Sequence, residues 1–580
     1  MSAIVNTRIS GKLSTNVFNV EDYCASPGAS YATNKAALQA ALTAANAAGG
    51  GKVSITTPGV YKIAGRIVIY SNTEFHVGAG VTIKQETTAI RGENARWLFA
   101  NNAYVNGANV TISSITSSGR ICTVTTSADH NLSVDDYACM YQIATDGYDG
   151  VFRIESVPTS TTFTYRANYQ LAATPAVAST HPGYTTMVVR KCDTNIHLTG
   201  GGIIDCDYLN SPSPATNLDN MGVILAYCQH VSTEVPIINS LKYGLYYSGV
   251  RQAMFRNLTG GSLSSTGFQA TGPITGLIVE NNDLYAADTP IAFGTADYDA
   301  YVITSGSVYG VTVRNNVISR GLDIRMYGSS EAKMRGILIE NNRGSLNESD
   351  IGGVIVVTDA GCLGDGVPYI KDLTVRNTFA SSSSSGQHAQ IKLSGTVERL
   401  IYESTDVQNP TGTASGRVIV ITAATIGDIV VNNLKVTNGH SLIDIQSASA
   451  TINNIFLNNV VSSTYIGINN SANDAFNVFV NNCQLTNALG AFRDASTSGK
   501  MTIRLHNSTC SVYLQRTAAQ TFVVDGTQMR CDASWVDRTD GVMFYNTNAA
   551  LGTLGAAGIV VGQGTAANSW HLLADPTLVY

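Results

Sequence analysis

The repeats GLIVENN (276–282), GVTVRNN (310–316) and GILIENN (336–342) each join a short alternating strand to paired asparagines. Shorter copies follow at DLTVRN (372–377), DIVVNN (428–433), NIFLNN (454–459) and NVFVNN (477–482). The first asparagine of each copy falls at 281, 315, 341, 377, 432, 458 and 481, and RLIYEST (399–405) supplies a degenerate copy in the longest gap. Periods of about 20–40 residues with one strand in each unit predict a solenoid.

Each repeat has the pattern of a coil of three strands. After the asparagines at 315 and 316 come a short strand, VIS (317–319), and an intervening strand, LDIRMYG (322–328). Apolar and polar residues alternate in these strands, as a half-buried strand requires. Asparagines stacked at one turn can hydrogen-bond along the stack. We therefore predict an all-β fold, a right-handed parallel β-helix.

Composition supports this fold and excludes several classes of protein. Of 580 residues only 13 % are charged, Gly is plentiful at 54 and Pro is scarce at 13, which argues against a helical bundle. The net charge is −6 without a basic run, so nucleic acid is not an expected partner. No apolar stretch is long enough to span a membrane. The ten cysteines are scattered, and we expect buried reduced thiols. Metal and phosphate motifs are lacking, and no cofactor is predicted.

Four regions are expected along the chain. Residues 1–107 hold an N-terminal cap and the first coils, with a helix in TNKAALQAALTAANAAGGG (33–51) that Asn34 would cap and the glycines would end. Residues 108–180 form an inserted small β module, either an accessory glycan-binding domain or a structural insert that packs on the helix wall or a neighbouring chain. Residues 181–525 form the catalytic β-helix, and 526–580 a short apolar C-terminal segment.

Two sets of motifs carry a resemblance to known proteins. Pro58, Gly59 and Tyr61, with TNIHLTGGGIIDCD (194–207), resemble the cap strand and glycine-aspartate coil of the pectate-lyase-like superfamily. The GTAANSW ending (564–570) resembles that of phage tailspikes and capsule depolymerases. The resemblance implies a homotrimer of the phage tail, attached to tail or baseplate proteins. It also implies a protein made in the host cytoplasm that acts on polysaccharide at the bacterial surface. The lack of a signal peptide fits that expectation.

In sugar-cleaving relatives the intervening strands and their flanking loops form the substrate groove. Acids there could protonate the glycosidic oxygen and activate water, tyrosines could stack on sugar rings, and cations could hold an acidic sugar. The catalytic candidates are Asp323, Glu348, Asp350, Asp297 and Asp299. The substrate-binding candidates are Arg325, Tyr327, Tyr298, Tyr301, Lys392, Glu331, Asp359 and His388. We expect Asp323 at the centre of the groove, Glu348 and Asp350 one coil further on, and Asp297 and Asp299 flanking Tyr298 at a loop tip.

Three functions remain open at this point. The favoured one is hydrolysis of a bacterial capsular polysaccharide. Arg325, Tyr327 and Lys392 would also suit a lyase that works by β-elimination, and a non-catalytic receptor-binding fibre would need neither chemistry. The sequence does not name the sugar, its linkage, the host, the stereochemical outcome or whether the site lies between subunits.

Overall fold

Strands dominate the protein. The computed structural model describes residues 15–63, 65–86, 97–171, 175–179, 184–207, 221–262, 266–286, 289–297, 302–318, 324–327, 332–345, 353–358, 369–381, 389–404, 407–408, 416–422, 424–487, 490–494, 501–510, 521–524, 543–546, 559–562, 570–572 and 575–579. The strands form a parallel β-solenoid of about 13 turns, which confirms the predicted fold class. The chain divides into two compact units, residues 1–337 with 359–366 and residues 338–358 with 367–580.

The first unit begins with a 3-10 helix, Val20–Tyr23, and a helix, Tyr31–Ala47, and holds a short helix at Asn102–Asn106. Its longest parallel sheet contains the strands Val17–Asn19, Gly51–Ile55, Ile67–Ile69, Thr73–Val77, Trp97–Asn101, Asp193–Thr199, Met221–Thr233, Tyr243–Arg256, Thr266–Glu280, Ile291–Gly294, Val308–Arg314 and Ile324–Tyr327. A second parallel sheet holds Gly59–Ile63, Val81–Gln85, Ile203–Asp205, Ile237–Ser240, Thr259–Ser262, Asp283–Ala286 and Val317–Ile318. In three coils the intervening strand and the strand before the turn run together as one long strand, at 221–233, 243–256 and 266–280.

The second unit repeats the same coil. The strand Met334–Glu340 crosses the division between the units. Beyond it the intervening strands and the strands before the turn are Gly353–Thr358, Tyr369–Arg376, Ala389–Leu393, Thr396–Glu403, Arg417–Ile421, Thr425–Asn432, Ser441–Ile445, Thr451–Asn458, Ile466–Asn470, Phe476–Asn481, Gly490–Asp494 and Met501–His506. The strands after the turn are Arg343–Ser345, Phe379–Ser381, Val407–Gln408, Lys435–Thr437, Val461–Ser462, Gln484–Leu485 and Thr509–Cys510. The last strands are Thr521–Val524, Met543–Asn546, Ile559–Gly562, Trp570–Leu572 and Asp575–Val579.

The degenerate repeat is a true coil. Its strand, Thr396–Glu403, pairs in parallel with Tyr369–Arg376 on one side and with Thr425–Asn432 on the other. Leu400 and Tyr402 are fully buried in this strand. This copy therefore differs from the others at its turn, where the paired asparagines are missing. It keeps the alternation of buried and exposed residues that builds the core.

The N-terminal helix begins earlier than the sequence indicated. Ser30 caps it, because the Ser30 hydroxyl accepts a hydrogen bond from the Thr33 amide at 3.2 Å. Asn34 was the expected cap, but it lies inside the helix and is buried. Its side-chain oxygen accepts from the Ser26 amide at 3.0 Å, which anchors the preceding loop. The helix ends at Ala47, just before the three glycines predicted to end it.

The inserted module is a closed antiparallel barrel. Its strands are Val110–Ser118, Ile121–Thr126, Tyr137–Tyr141, Gly150–Thr159, Thr162–Arg166 and Val188–Lys191. The last of them lies beyond residue 180, where the sequence placed the end of the module. Phe152 and Tyr165 stack in its core with ring centroids 4.4 Å apart. The barrel therefore has a hydrophobic core of its own.

A left-handed asparagine occupies turn after turn of the solenoid. Asn281, Asn315 and Asn341 have φ of 56°, 55° and 54°. Asn tolerates this backbone conformation better than most residues. In the later copies the left-handed residues are Asn433, Asn459 and Asn482, one position after the asparagines used to count the repeat. The predicted turn position was therefore one residue too early in these copies, because Asn432, Asn458 and Asn481 still belong to their strands.

The turn amides also bond from coil to coil, as expected. Asn459 donates to Asn433 at 3.1 Å, and Asn507 donates to Asn482 at 2.8 Å. In the first unit the buried neighbours of the turn residues are linked too. The side-chain oxygen of Asn316 accepts from the Asn282 backbone amide at 3.1 Å and from the Asn282 side chain at 2.8 Å. Asn316 in turn donates to the Val279 carbonyl at 3.1 Å.

Seven cysteines have described side chains, and all of them are free. Cys122, Cys139, Cys192, Cys206, Cys228 and Cys483 are buried, as predicted. Cys24 is exposed, because it ends the 3-10 helix at the surface in a left-handed conformation. None of the helices in the described residues is long and apolar enough to cross a membrane.

The buried amide ladder predicts a specific loss of stability. Asn316→Ala would leave the buried backbone amide of Asn282 without an acceptor and the Asn282 side-chain amide with the Phe255 carbonyl alone, which we expect to cost about 2–4 kcal/mol. The midpoint of thermal unfolding should fall accordingly. The control is Asn454→Ala, at a half-exposed amide in the ladder with Asp428 and Asn477, where water can replace the lost bonds. Equal midpoints for the two variants would contradict a stabilising role for the buried ladder.

Candidate functional site

The intervening strands of the first unit stack in register. One row of successive partners is Ala100, Ile224, Tyr246, Gln269, Ala292 and Arg325. A second row is Ala226, Ser248, Thr271, Gly294 and Tyr327. The positions that alternate with these rows, such as Leu245 and Phe268, form the solenoid core, where the ring centroids of Phe268 and Phe255 lie 4.7 Å apart. Because side chains alternate along a strand, the two rows face outward.

The barrel covers the beginning of this outer face. Tyr141 of the barrel lies against Tyr227, with ring centroids 5.6 Å apart. Barrel and solenoid residues share one hydrophobic cluster, in which Cys139 and Val151 pack with Ile224 and Tyr246. Arg190, from the last barrel strand, lies 4.5 Å from the centre of the Tyr227 ring. The barrel thus packs on the helix wall, and the outer face of the coils at 221–226 and 243–248 is not open to a polymer.

Asp297 lies just beyond the strand Ile291–Gly294 and is fully buried. The sequence placed it at a loop tip, but the Tyr243 hydroxyl donates to its Oδ1 at 3.0 Å. Burial raises the pKa of the Tyr246 hydroxyl, and the nearby Asp297 carboxylate raises it further. The carboxylate is thus part of a buried network rather than solvated, because two tyrosines from the preceding coils reach it. A catalytic role for Asp297 stays a prediction.

Hydroxyls continue the network along the outer rows. Ser248 lies 2.8 Å from Thr271 and 2.7 Å from Thr304 through their hydroxyl oxygens. Thr271 donates to the Tyr246 hydroxyl at 3.2 Å. Gln269 is also buried, and among the described residues its Nε2 has no hydrogen-bond partner. Buried polar groups of this kind are usually satisfied, so this one marks a place where a polar ligand could contribute.

The remaining predicted residues fall into three groups. Arg325 and Tyr327 lie in the strand Ile324–Tyr327, paired with Ala292 and Gly294, directly after the coil that leads to Asp297. Lys392 lies in the second unit, half-buried and paired with Val356 and Val420. Outside the described residues lie Asp323, Asp299, Tyr298, Tyr301, Glu331, Glu348, Asp350, Asp359 and His388.

A polar cluster that the sequence did not single out joins the barrel to the solenoid. Tyr309 donates to Oδ1 of Asp146 at 2.8 Å, and Arg335 forms an ion pair with Oδ2 of the same residue. The Arg335 guanidinium lies 5.3 Å from the centre of the Tyr169 ring. The segment DGYDG (146–150), with two acids and a tyrosine, was the available signal. Its partners are more than 150 residues away in sequence, so no local pattern indicates them.

Asp149 is the deepest acid of this cluster. It is buried, and its Oδ2 accepts a hydrogen bond from the Ser307 amide. A Cβ on Gly306 would lie 2.6 Å from that oxygen, so the close approach requires glycine. Burial raises the pKa of Asp149 to about 7, against the opposing effect of the Ser307 bond, and the Asp146 charge raises it further. A carboxyl that is half-protonated near neutral pH is unusual. Because Asp149 is buried against the Ser307 amide of the solenoid, we assign it a role in docking the barrel.

Comparison with solved structures supports the fold. A mutant tailspike protein of E. coli bacteriophage HK620 in complex with a pentasaccharide matches with a TM-score of 0.50 and 11 % identity, over 95 % of this chain and 85 % of that one. The tailspike of Acinetobacter baumannii bacteriophage AP22, in complex with a capsular saccharide, matches at 0.39 and 11 %, over 84 % and 79 %. A Yersinia enterocolitica family 28 exopolygalacturonase matches at 0.40 and 14 %, over 92 % and 78 %.

No protein-family model matches the sequence, and no curated protein matches it. At these low identities the structural likeness shows the fold alone. The chain therefore has a parallel β-solenoid fold, like that of the bacteriophage HK620 tailspike protein.

Asp149 predicts a pH dependence of stability. Its pKa is 3.8 in an ordinary setting and about 7 in the folded protein, so between these values the folded state binds more protons than the unfolded state. The contribution of this group to stability therefore falls as the pH rises from about 4 to 7, by up to about 4 kcal/mol. Asp149→Asn, which is never charged, should remove this slope from the midpoint of thermal unfolding.

The control for this prediction is Asp372→Asn, which alters an exposed ion pair with Arg399. It should keep the wild-type slope. An identical pH dependence for wild type and Asp149→Asn would show that the Asp149 carboxyl does not titrate in this window.

Proposed function

We propose that this protein is a phage tailspike-type depolymerase that binds a bacterial surface polysaccharide, capsule in preference to lipopolysaccharide, and cleaves it by glycosidic hydrolysis. The proposal includes a homotrimer attached to phage tail or baseplate proteins, made in the host cytoplasm and acting at the bacterial surface. A protein that sediments as a monomer in dilute buffer would contradict the trimer.

One observation carries the proposal. Arg325 and Tyr327 occupy the two outward rows on the coil next to the strand that leads to Asp297. The barrel packs on the earlier part of these rows, so a polymer on this face would lie beyond it. An arginine and a tyrosine position next to the coil that leads to Asp297, about 4.8 Å away, combine the residue types that bind and cleave a sugar chain. The parallel β-solenoid supports the proposal by analogy only.

The backbone register indicates which acids could act together. Asp297 follows the strand Ile291–Gly294, whereas Asp323 precedes Ile324, which pairs with Ile291. The two acids belong to opposite ends of paired parallel strands, and four strand residues at about 3.3 Å each separate these ends. That is more than the roughly 5–9.5 Å between the carboxyls of glycosidases. We therefore expect that Asp323 and Asp297 do not serve the same bond.

The favoured centre is Asp323, and Asp323→Asn should lower the depolymerisation rate at least about a hundredfold. We expect the midpoint of thermal unfolding to be almost unchanged, since an acid that acts in an open groove contributes little to stability. The assay measures new reducing ends after incubation with purified capsular polysaccharides. The matched control is Asp372→Asn, whose carboxylate only pairs with Arg399 at the surface of the second unit.

The same assay distinguishes the competing functions. Reducing ends with the absorbance of an unsaturated uronate would identify a lyase and contradict hydrolysis. Binding without any new ends across a broad capsule panel would identify a receptor-binding fibre. Full activity of Asp323→Asn with loss in Asp297→Asn would move the catalytic centre to the other end of the strands.

A further inference from the structure

A second set of outward positions lies in the second unit, on the intervening strands between residues 417 and 494. Successive partners along one row are Val420, Asp444, Asn469 and Arg493. Asp444 and the Arg417 side chain are almost completely buried, with 2 % and 7 % of each side chain exposed. Asn469 and Arg493 are half-exposed. A buried ion pair thus lies beside two half-exposed polar side chains, Asn469 and Arg493.

Asp444 is fully occupied by neighbours. Its Oδ1 accepts from Asn469 at 2.6 Å, and its Oδ2 accepts from Gln446 at 2.9 Å and from Nε of Arg417. Burial alone would raise the pKa of this carboxyl, but the hydrogen bonds and the Arg417 charge outweigh it and the pKa is lowered. Asp444 is therefore an ionised carboxylate that fixes Arg417 and Asn469, and both of its oxygens already accept hydrogen bonds.

The groups around Asp444 retain unused hydrogen-bonding atoms. Among the described residues, no acceptor reaches the buried Nη1 of Arg417 or the buried Nε of Arg493, and no donor reaches the buried Oδ1 of Asn469. Leaving such atoms unsatisfied is costly, and the cost is greater for charged groups. Among the described side chains of this cluster, the two arginines face the carboxylate of Asp444 alone, on a chain whose net charge is −6.

His440 lies within the same cluster. Its pKa is lowered by burial first and then by the charges of Arg417 and Arg493, so the imidazole is neutral at pH 7 and adds no charge. Its ring centroid lies 6.4 Å from that of Tyr465, on the following coil. A neutral imidazole and a phenol ring provide a flat, partly apolar wall next to the cations.

We infer that Asn469 and Arg493 form a subsite for an acidic sugar, with Arg493 holding its carboxylate and Asn469 accepting a hydrogen bond from a hydroxyl. This inference rests on the proposed function and specifies the chemistry of its substrate. Two guanidinium donors match the two oxygens of a carboxylate. The unused oxygen of Asn469 distinguishes a sugar acid from sulfate, because the sulfate dianion has no hydroxyl to donate to it.

The experiment measures binding of D-glucuronate, D-glucose and inorganic sulfate to the full-length protein by titration calorimetry or ligand-observed NMR. We expect glucuronate to bind at least about tenfold more tightly than glucose or sulfate. Arg493→Gln and Arg493→Glu should each weaken glucuronate binding about tenfold or more, since a half-exposed arginine can be replaced without unfolding the coil. The matched control is Arg504→Gln, an exposed arginine over the Phe479 ring on a different strand of this unit.

Equal binding of glucuronate and glucose, or an unchanged affinity in both Arg493 variants, would overturn the inference. Sulfate binding as tight as that of glucuronate would also overturn it, by showing a general anion site. Because the probe is a free monosaccharide, the result does not depend on cleavage. A protein that binds glucuronate through Arg493 but neither binds nor cleaves any polysaccharide supports the subsite and contradicts the proposed function. A protein that cleaves polysaccharide without preferring glucuronate contradicts the subsite alone.

Discussion

The register of the strands in this protein depends on the turn at which each coil folds back onto the coil before it. A solenoid turn needs a residue in the left-handed backbone region, and asparagine adopts it with less strain than a branched or bulky side chain. Asn281, Asn315 and Asn459 all have φ close to 55°. Turn amides also bond between coils, as Asn459 does to Asn433 and Asn507 to Asn482, so the turns hold the same phase along the stack. Because the phase is kept, the strands between the turns also stay in register, and outward positions form continuous rows.

The two units use these rows differently. In the first unit the barrel packs on the beginning of the outer face, and two acids are buried: Asp149 of the barrel segment against the Ser307 amide, and Asp297 of the solenoid against Tyr243. In the second unit the row carries an arginine–aspartate pair whose unused donors lie beside half-exposed side chains. Buried polar groups are retained in proteins where they fix a contact or serve a ligand. The first unit gives an example of a contact, and we assign a ligand to the second.

The sequence predicted the solenoid because periodic information is local. Seven copies of a strand and an asparagine turn sufficed, and even the degenerate copy at 399–405 was recognisable from its alternating Leu400 and Tyr402. The sequence was less informative where one residue decides the outcome. Ser30 rather than Asn34 caps the first helix, since the loop before it needs the Asn34 amide. The later turns were misplaced by one residue, since paired asparagines do not reveal which one turns the chain.

The candidate sites were harder to predict because they combine distant segments. Alternation alone predicts outward positions for Lys392 and Arg325. It does not predict the contact of Asp146 with Tyr309 and Arg335. Likewise Arg417 contacts Asp444 because the two residues lie on adjacent coils, although they are 27 positions apart in the sequence.

The central claim is that outward rows of the intervening strands bind the polysaccharide. The most direct test is a structure of the protein with an oligosaccharide taken from a capsule that it binds. The account predicts sugar density along the outer face of these strands, against Arg325 and Tyr327 or against Asn469 and Arg493. Sugar density confined to the barrel or to the strands that follow the asparagine turns would contradict it.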